Sequence, residues 1–272
     1  MPSEASIKQY QSRIALLNKA GFTDFTEQAD DVIAYLDAMA TVSNRKLYTS
    51  AILYSYNGAT PPAVYKDYIT KQFTAQNVKD DEQKLSDKQD EKYLAWSELV
   101  DVQKKLADMV NKNKMQWREY LVVSLYTLIN PVRADFGDMK VVRKFEPSTN
   151  QLVLGDARPY FVFSDYKTAK TYGDVRIEVP DELCEVINDW FEFLGQEPYY
   201  LLDQEYSGKT LSNYIRRVFE KHTGKAVGIN LLRHARISSE LSTPKTILEK
   251  RNMASSMLHS KERQEKYVVF KD

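Results

Sequence analysis

The chain has 272 residues with equal numbers of basic and acidic side chains, so its formal net charge is zero. A hydrophobic fraction of 43% beside 28% charged residues is typical of a globular protein and argues against disorder. One cysteine excludes an intrachain disulfide and a cysteine-based zinc site, and it fits a reducing, intracellular setting. We find no Gly-rich phosphate loop, no bilayer-length apolar run and no signal-peptide pattern, which argues against a nucleotide-driven enzyme and a membrane protein.

Helical periodicity dominates the first third of the chain. The segment EASIKQYQSRIALLNKAG places four apolar residues on one face and ends at a glycine. Three further helical segments follow, FTEQADDVIAYLDAMA, SNRKLYTSAILYSYNG and TPPAVYKDYITKQF. The next segment, TAQNVKDDEQKLSDKQDEK, is nearly devoid of large apolar residues. We therefore predict a helical domain at residues 1–74 and a linker, partly helical, at residues 75–92.

A mixed pattern follows over residues 93–272. Two amphipathic helices, KYLAWSELVDVQKKLADMV and KMQWREYLVVSLYTLI, come first. The runs KVVRKF, PYFVFSDY and DVRIEVP are rich in β-branched and aromatic residues, which predicts three short strands separated by turn residues. Five helical segments follow, from DELCEVINDWFEFL to the final KERQEKYVVF. This order predicts a mostly α, α+β domain with a small antiparallel sheet.

Two arginines occur in segments that should be buried. Arg133 follows the apolar helix YLVVSLYTLINP, and Arg233 lies within INLLRHARIS. A buried guanidinium is costly unless it meets a carboxylate or another anion, and its planar donor fork suits a phosphate diester. Alternatively, Arg133 bridges to Asp135 or Asp138, and Arg233 caps a neighbouring helix. The residues by themselves leave both interpretations open.

The order of four motifs resembles the catalytic domain of tyrosine recombinases, the phage-integrase-like enzymes that cut and rejoin DNA. TLINPVRADFGDMKV resembles the first arginine box, in a form most similar to those of eukaryotic mobile elements and DNA viruses. DYKTAKTYG resembles the hairpin with the family's lysine, NLLRHARIS the second arginine box, and MLHSKERQEKY the segment between a histidine and the tyrosine. The resemblance covers roughly residues 93–270, and residues 1–74 resemble the family's DNA-contacting core-binding domain.

The resemblance implies a nucleophile and two phosphate-binding groups. Tyr267 would attack a DNA phosphodiester and leave a 3′-phosphotyrosyl bond with a free 5′-hydroxyl. Arg133 and Arg233 would hold the non-bridging oxygens as charge builds on phosphorus. Because the covalent bond keeps the ester energy, the resemblance implies no cofactor, and because the arginines bind the phosphate in place of a metal, it implies no metal.

The remaining catalytic groups are also implied by the resemblance. Lys167 would protonate the departing 5′-oxygen as general acid, and Lys170 is the alternative. His259 would position the phosphate and help to activate the tyrosine.

The chain departs from the family pattern around the two arginine boxes. Asn230 stands where the family commonly has a histidine, three residues before Arg233. We expect Asn230 to orient Arg233, because its apolar neighbours should leave little room for an imidazole. Asp135 is the expected acidic partner of the first box, and we interpret His234 as a core histidine.

The resemblance thus implies a site-specific recombinase or integrase that acts on double-stranded DNA with specific target sites. It would integrate or excise a mobile or viral genome at DNA inside the cell, in the host nucleus or cytoplasm, or in a virion. The short tail after Tyr267 predicts a monomer or weak dimer without DNA and a tetramer on paired sites. The alternatives are a type IB topoisomerase-like DNA-relaxing enzyme, a catalytically impaired DNA-binding relic of the fold, and a helical interaction protein without a nucleic-acid role.

Overall fold

The computed structural model describes residues 2, 4–81, 84–155, 158–258, 264 and 266–269. The chain divides into two compact units, Met1–Glu82 and Gln83–Asp272. Within the described ranges, we find no helix with the length and apolar character that a membrane crossing requires.

The first unit is a small helical bundle. Its elements are α1 (Glu4–Lys19), α2 (Ala29–Asp37), α3 (Val42–Ser55) and α4 (Ala63–Asp81). Apolar side chains spaced at helical period face inward and form its core, namely Leu17, Val32, Leu36, Ile52, Tyr65 and Tyr68. The hydroxyls of the two tyrosines are satisfied, because Tyr65 donates to the carbonyl oxygen of Phe25 at 2.8 Å and Tyr68 to the Asp37 carboxylate at 2.8 Å. Helix α4 continues to Asp81, into the segment predicted as a linker.

The second unit contains a sheet surrounded by helices. In chain order its described elements are α5 (Asp87–Asp90), α6 (Trp96–Ala107), α7 (Lys114–Thr127), β1 (Lys140–Val142), β2 (Gln151–Val153), β3 (Tyr160–Phe163), α8 (Ala169–Tyr172), β4 (Val175–Glu178), α9 (Asp181–Leu194), α10 (Gly208–Thr223), α11 (Ile229–Leu241) and α12 (Ile247–Ser256). The mostly α, α+β class is confirmed. The predicted final helix is wrong at residues 266–269, where the chain forms a turn and an irregular segment.

The four strands form a mixed sheet in the order β1-β2-β3-β4. Strands β2, β3 and β4 pair antiparallel, but β1 pairs parallel to β2, with Val141 opposite Leu152. The prediction of a wholly antiparallel sheet is therefore wrong at this edge, because residues 143–150 return the chain so that β2 runs in the same direction as β1. Strand β2 was not predicted, since its sequence, QLV, has a single β-branched residue and all three residues are buried, so that no alternation is visible.

The core of the second unit fixes the loop that follows α7. All residues from Glu119 to Thr127 are buried, so this part of α7 is enclosed on every side. Phe136 in the following loop meets the rings of Tyr126, Phe161 and Phe163 edge-on, with centroids 5.3–5.6 Å apart. The segment that contains Arg133 is therefore held between α7 and the sheet.

Candidate active site

Arg233 lies in the interior of the second unit. It follows Leu232 on α11, and its residue surface is 0% exposed. Its Nη1 atom donates to the carbonyl oxygens of Pro131, at 2.7 Å, and Met257, at 3.0 Å. Its Nε and Nη2 atoms are also enclosed, and neither has a hydrogen-bond acceptor of standard geometry in the part of the chain that the structure describes. A fully buried guanidinium with unused donors is an uncommon and costly arrangement.

Arg133 lies beside it, in the loop after α7. The side chain is half-buried, and its Nη1 atom donates to the carbonyl oxygen of Leu258 at 3.2 Å. The carboxylate of Asp135 accepts from the backbone N–H of Arg133 at 3.0 Å, and the Tyr126 hydroxyl donates to its carbonyl oxygen at 2.5 Å. The interpretation in which the Arg133 guanidinium bridges to Asp135 is therefore wrong: the carboxylate bonds the backbone instead.

Both arginines bind the carboxyl end of α12. Met257 is the C-cap residue of this helix, and Leu258, which follows, has a left-handed backbone with φ of 56°. Carbonyl groups at a helix C-terminus carry partial negative charge and attract cations. The interpretation of Arg233 as a helix cap is thus correct as far as Nη1 is concerned, and it leaves two further donor atoms unexplained.

Tyr267 packs on the same arginine. Its side chain is buried, and its ring centroid lies 5.2 Å from the guanidinium carbon of Arg233. Ile237, Met253 and Met257 surround it in a small apolar cluster. Burial lowers the pKa of Arg233, the phenol of Tyr267 opposes that shift, and the positive charge of Arg133 adds to it. Two guanidiniums and a phenol therefore meet at one place.

His234 also contacts Tyr267. Its Nδ1 atom lies 2.8 Å from the carbonyl oxygen of Tyr267, and the two rings lie 4.7 Å apart between centroids. The histidine is half-buried. It is therefore a neighbour of the predicted nucleophile and only partly a core residue.

The predicted lysine hairpin lies beside the two arginines. It connects β3 to β4, and both Lys167 and Lys170 on it are exposed. Thr168, next to Lys167, donates from Oγ1 to the carbonyl oxygen of Leu258 at 3.2 Å. Because Arg133 donates to that same oxygen, the hairpin lies next to the arginine pair. Exposure does not distinguish Lys167 from Lys170 as a proton donor.

A cavity of about 300 Å³ opens next to Lys167. Four carboxylate side chains line it, those of Asp135, Asp138, Asp165 and Glu205. The surroundings of Lys167 are therefore acidic on this side. Burial raises the pKa of Asp135 to about 6, although the Arg133 backbone N–H and the charges of Arg133 and Arg233 oppose the shift.

Asn150 connects the lysine hairpin to the loop that contains Arg133, and the sequence analysis did not identify it. Its Nδ2 atom donates to the carbonyl oxygens of Asp165, at 2.8 Å, and Asp135, at 3.2 Å. Its Oδ1 atom accepts from the backbone N–H groups of Ser164, at 3.1 Å, and Asp165, at 3.0 Å. The side chain is 2% exposed. Nothing in the sequence identifies it, because all its partners except the Asp138 carboxylate are backbone groups.

A second polar connection joins the loop to α11 and α12. Arg236 donates from Nε to Oδ1 of Asn130 at 2.9 Å, and Nδ2 of Asn130 donates to the Ser256 hydroxyl at 2.8 Å. Arg236 follows Arg233 by one helical turn, which is a signal available in the sequence. Asn130 gives no such signal.

Of the two remaining predicted site residues, the structure describes Asn230 but not His259. Asn230 is exposed in the first turn of α11, so the expected crowding by apolar neighbours is wrong, and an imidazole would have room there. His259 lies outside the described residues. The geometry consequently brings together Arg133, Arg233 and Tyr267, with Lys167 on the adjacent hairpin.

Comparison with known proteins gives limited similarity. No family model matches the sequence, and no curated protein does either. Among solved structures, the chain is similar to one described as the crystal structure of XerA recombinase. The match covers 100% of this chain and 89% of that chain, with 15% sequence identity and a TM-score of 0.48. Similarity at this level does not establish a shared activity.

Proposed function

We propose that the chain cleaves and rejoins double-stranded DNA through a covalent 3′-phosphotyrosyl intermediate, with Tyr267 as the nucleophile. The observation that supports this proposal is the meeting of two guanidiniums and one phenol around Arg233, whose Nε and Nη2 atoms have no acceptor of standard geometry among the described residues. An active site for phosphoryl transfer needs this combination of anion-binding groups and a nucleophile.

The unused donors favour an anion as the missing partner. A buried cation without a counter-charge is strongly unfavourable, and neither guanidinium forms an ion pair with a carboxylate that the structure describes. A phosphate diester offers two non-bridging oxygens at the spacing of the guanidinium fork. Binding such a group at Arg233 would satisfy the donors and offset the charge. A neutral ligand would satisfy only the donors.

The chemical step follows from these positions. The Tyr267 hydroxyl loses its proton, which His259 helps to remove, its oxygen forms a bond to phosphorus, and the bond from phosphorus to the 5′-oxygen breaks. Arg133 and Arg233 stabilise the charge that accumulates on the non-bridging oxygens. Lys167, or Lys170, gives a proton to the departing 5′-oxygen. A 5′-hydroxyl of the same or a second DNA end then reverses the step, because the phosphotyrosyl bond keeps the ester energy.

The biological setting is a further part of the proposal and rests on the resemblance of the four motifs. The reaction is site-specific recombination, integrating or excising a mobile or viral genome at DNA inside the cell. Residues 1–74 supply a second DNA contact, residues 75–92 link the domains, and residues 93–272 perform catalysis. His259 completes the phosphate site, and four copies assemble on paired target sites.

Covalent capture tests the proposal. A pool of duplex oligonucleotides with a randomised core and a nick traps any protein–DNA adduct, because the short 5′-hydroxyl fragment diffuses away after cleavage. We expect DNA that stays bound to the protein in detergent and that shares a sequence after recovery. DNA binding without any adduct would identify a catalytically impaired relic and overturn the proposal. Relaxation of supercoiled plasmid without strand exchange would assign the alternative, topoisomerase-like activity.

A further inference from the structure

Helix α11 contains more than the phosphate-binding arginine. His234, Ile237 and Ser238 lie on one side of it, because residues three and four apart in a helix are neighbours. His234 contacts the carbonyl oxygen of Tyr267, and the Ser238 hydroxyl oxygen accepts from the N–H of Val269 at 2.8 Å. The two contacts flank the backbone of the tyrosine segment on its C-terminal side.

We propose that His234 and Ser238 are positioning residues that hold the Tyr267 segment against Arg233. The catalytic consequence rests on the proposed function, whereas the attachment of the segment to α11 does not. Neither residue touches the reacting phosphate in this assignment. They act through the backbone of residues 267–269.

The need for such anchors follows from how Tyr267 is otherwise held. Its side chain packs among Ile237, Met253 and Met257 and against Arg233, and these side-chain contacts do not by themselves set the direction of the backbone that follows the tyrosine. Hydrogen bonds at the carbonyl of Tyr267 and the N–H of Val269 fix the direction of the backbone, and so the direction in which the phenol leaves it. A nucleophile displaced by about 1 Å loses roughly a hundredfold in rate. Anchoring on the helix of Arg233 therefore keeps nucleophile and phosphate site in one rigid body.

The donor in the His234 contact is the Nδ1 hydrogen, because a carbonyl oxygen only accepts. The contact therefore needs a proton on Nδ1 and does not need a charge on the ring. Asparagine places its Nδ2 donor close to the position of the histidine Nδ1, so His234→Asn keeps the hydrogen bond without the ring. His234→Phe keeps the ring packing on Tyr267 without the donor.

Amide hydrogen exchange tests the attachment without any activity assay. In the full-length protein, Ser238→Ala should raise the exchange rate of the Val269 amide by about tenfold, since its acceptor is lost. Ser239→Ala, at the adjacent exposed position, is the matched control and should leave the exchange of residues 267–269 unchanged. Equal exchange in wild type and Ser238→Ala would overturn the anchoring role of Ser238.

Single-turnover cleavage tests the catalytic consequence. With the nicked duplex pool at saturating concentration, His234→Phe should form adduct about tenfold more slowly than wild type, at unchanged DNA affinity. His234→Asn should recover most of that rate. Wild-type rates in His234→Phe, or an equal loss of rate and DNA affinity in both variants, would contradict the positioning role.

The two assays separate the possible failures. Absence of adduct with the wild type would overturn the proposed function and, with it, the catalytic role of His234 and Ser238. The exchange measurement would then still decide whether α11 anchors the segment. Adduct formation by the wild type together with an unaffected His234→Phe would overturn this inference and leave the proposed function intact.

Discussion

Arg133 and Arg233 donate to two consecutive carbonyl oxygens, those of Leu258 and Met257, at the carboxyl end of α12. Two distant segments of the chain thus meet at one helix terminus, whose partial negative charge favours both guanidiniums. The backbone of α12 therefore sets the spacing of the arginines before any ligand binds. Preorganisation of this kind is what an oxyanion-stabilising site requires.

The first prediction concerns the donor fork of Arg233. Arg233→Lys keeps a positive charge, but one ammonium cannot satisfy the carbonyls of Pro131 and Met257 and also present two donors to a phosphate. We expect the adduct rate to fall by about 10²–10³-fold, with DNA affinity changed by much less.

Arg143→Lys is the matched control, because Arg143 is an exposed arginine that pairs with Glu197. It should retain the wild-type rate. Thermal unfolding of both variants checks that the buried substitution still folds. If the Arg233→Lys protein folds and cleaves DNA at nearly the wild-type rate, the planar guanidinium of Arg233 is not needed for catalysis.

The second prediction concerns the stability contribution of Asp135. Burial raises the pKa of its carboxyl to about 6, above the unfolded value near 3.8. Between these two pH values the carboxyl is protonated in the folded protein and ionised in the unfolded chain. The stability that this protonated group contributes is present below about pH 4 and is lost as the pH rises through 6. In Asp135→Asn, the amide oxygen can still accept from the Arg133 N–H.

Wild-type stability should therefore fall relative to Asp135→Asn between pH 4 and pH 7, by roughly 3 kcal/mol in total. Urea unfolding of both proteins over this range measures the difference. Parallel stability curves would show that the Asp135 carboxyl is not perturbed by burial.

The third prediction concerns the link made by Asn150. Asn150→Asp conserves the shape of the side chain but removes the donors to the carbonyls of Asp135 and Asp165. It also buries a carboxylate close to Asp138. We expect the free energy of unfolding to fall by about 2–4 kcal/mol at pH 7.

Asn111→Asp is the control for this change, because Asn111 is exposed, and aspartate tolerates its positive φ of 53° almost as well as asparagine does. Its urea midpoint should match the wild type. A wild-type midpoint for Asn150→Asp would mean that the network around the hairpin contributes little stability.

Apart from the four-residue α8 in the lysine hairpin, the described helices and three of the four strands could be predicted, because apolar periodicity and β-branched runs are local properties of the sequence. Strand β2 could not, since its stability comes from the pairing partners β1 and β3 on either side. The final helix was wrong for a similar reason. The N–H of Val269 bonds the Ser238 hydroxyl, so tertiary contacts replace the helical hydrogen bond there.

The meeting of Arg133, Arg233 and Tyr267 was expected from the order of motifs, and no periodicity in the sequence indicates it. The surroundings of these residues were less predictable. Asn230 was expected in a crowded position because Leu231 and Leu232 follow it, yet these two are buried while Asn230 is exposed in the first turn of α11. Adjacent residues on a helix face different directions, so composition alone does not give burial.

The fourth prediction assigns the general acid. If Lys167 protonates the leaving 5′-oxygen, Lys167→Ala should cleave an ordinary phosphodiester at least about a hundredfold more slowly than wild type. A substrate with sulfur in place of that bridging oxygen has a thiolate leaving group, which needs no proton. Lys167→Ala should therefore cleave the sulfur substrate at close to the wild-type rate.

Lys170→Ala is the internal comparison, since Lys170 is exposed on the same hairpin. It should cleave both substrates like the wild type. The reverse result, with rescue by sulfur only in Lys170→Ala, would move the role to Lys170. A defect in Lys167→Ala that sulfur does not relieve would indicate that Lys167 binds DNA and does not transfer a proton.

Mapping the covalent bond tests the central claim most directly. Trypsin should release residues 267–271, YVVFK, in which Tyr267 is the single tyrosine. Mass spectrometry of the digested adduct should find a nucleotide attached to this peptide. Tyr267→Phe should bind DNA but form no adduct, and Tyr199→Phe, at an exposed tyrosine, should form it normally. An adduct that persists in Tyr267→Phe, or that maps to another tyrosine, would contradict the account.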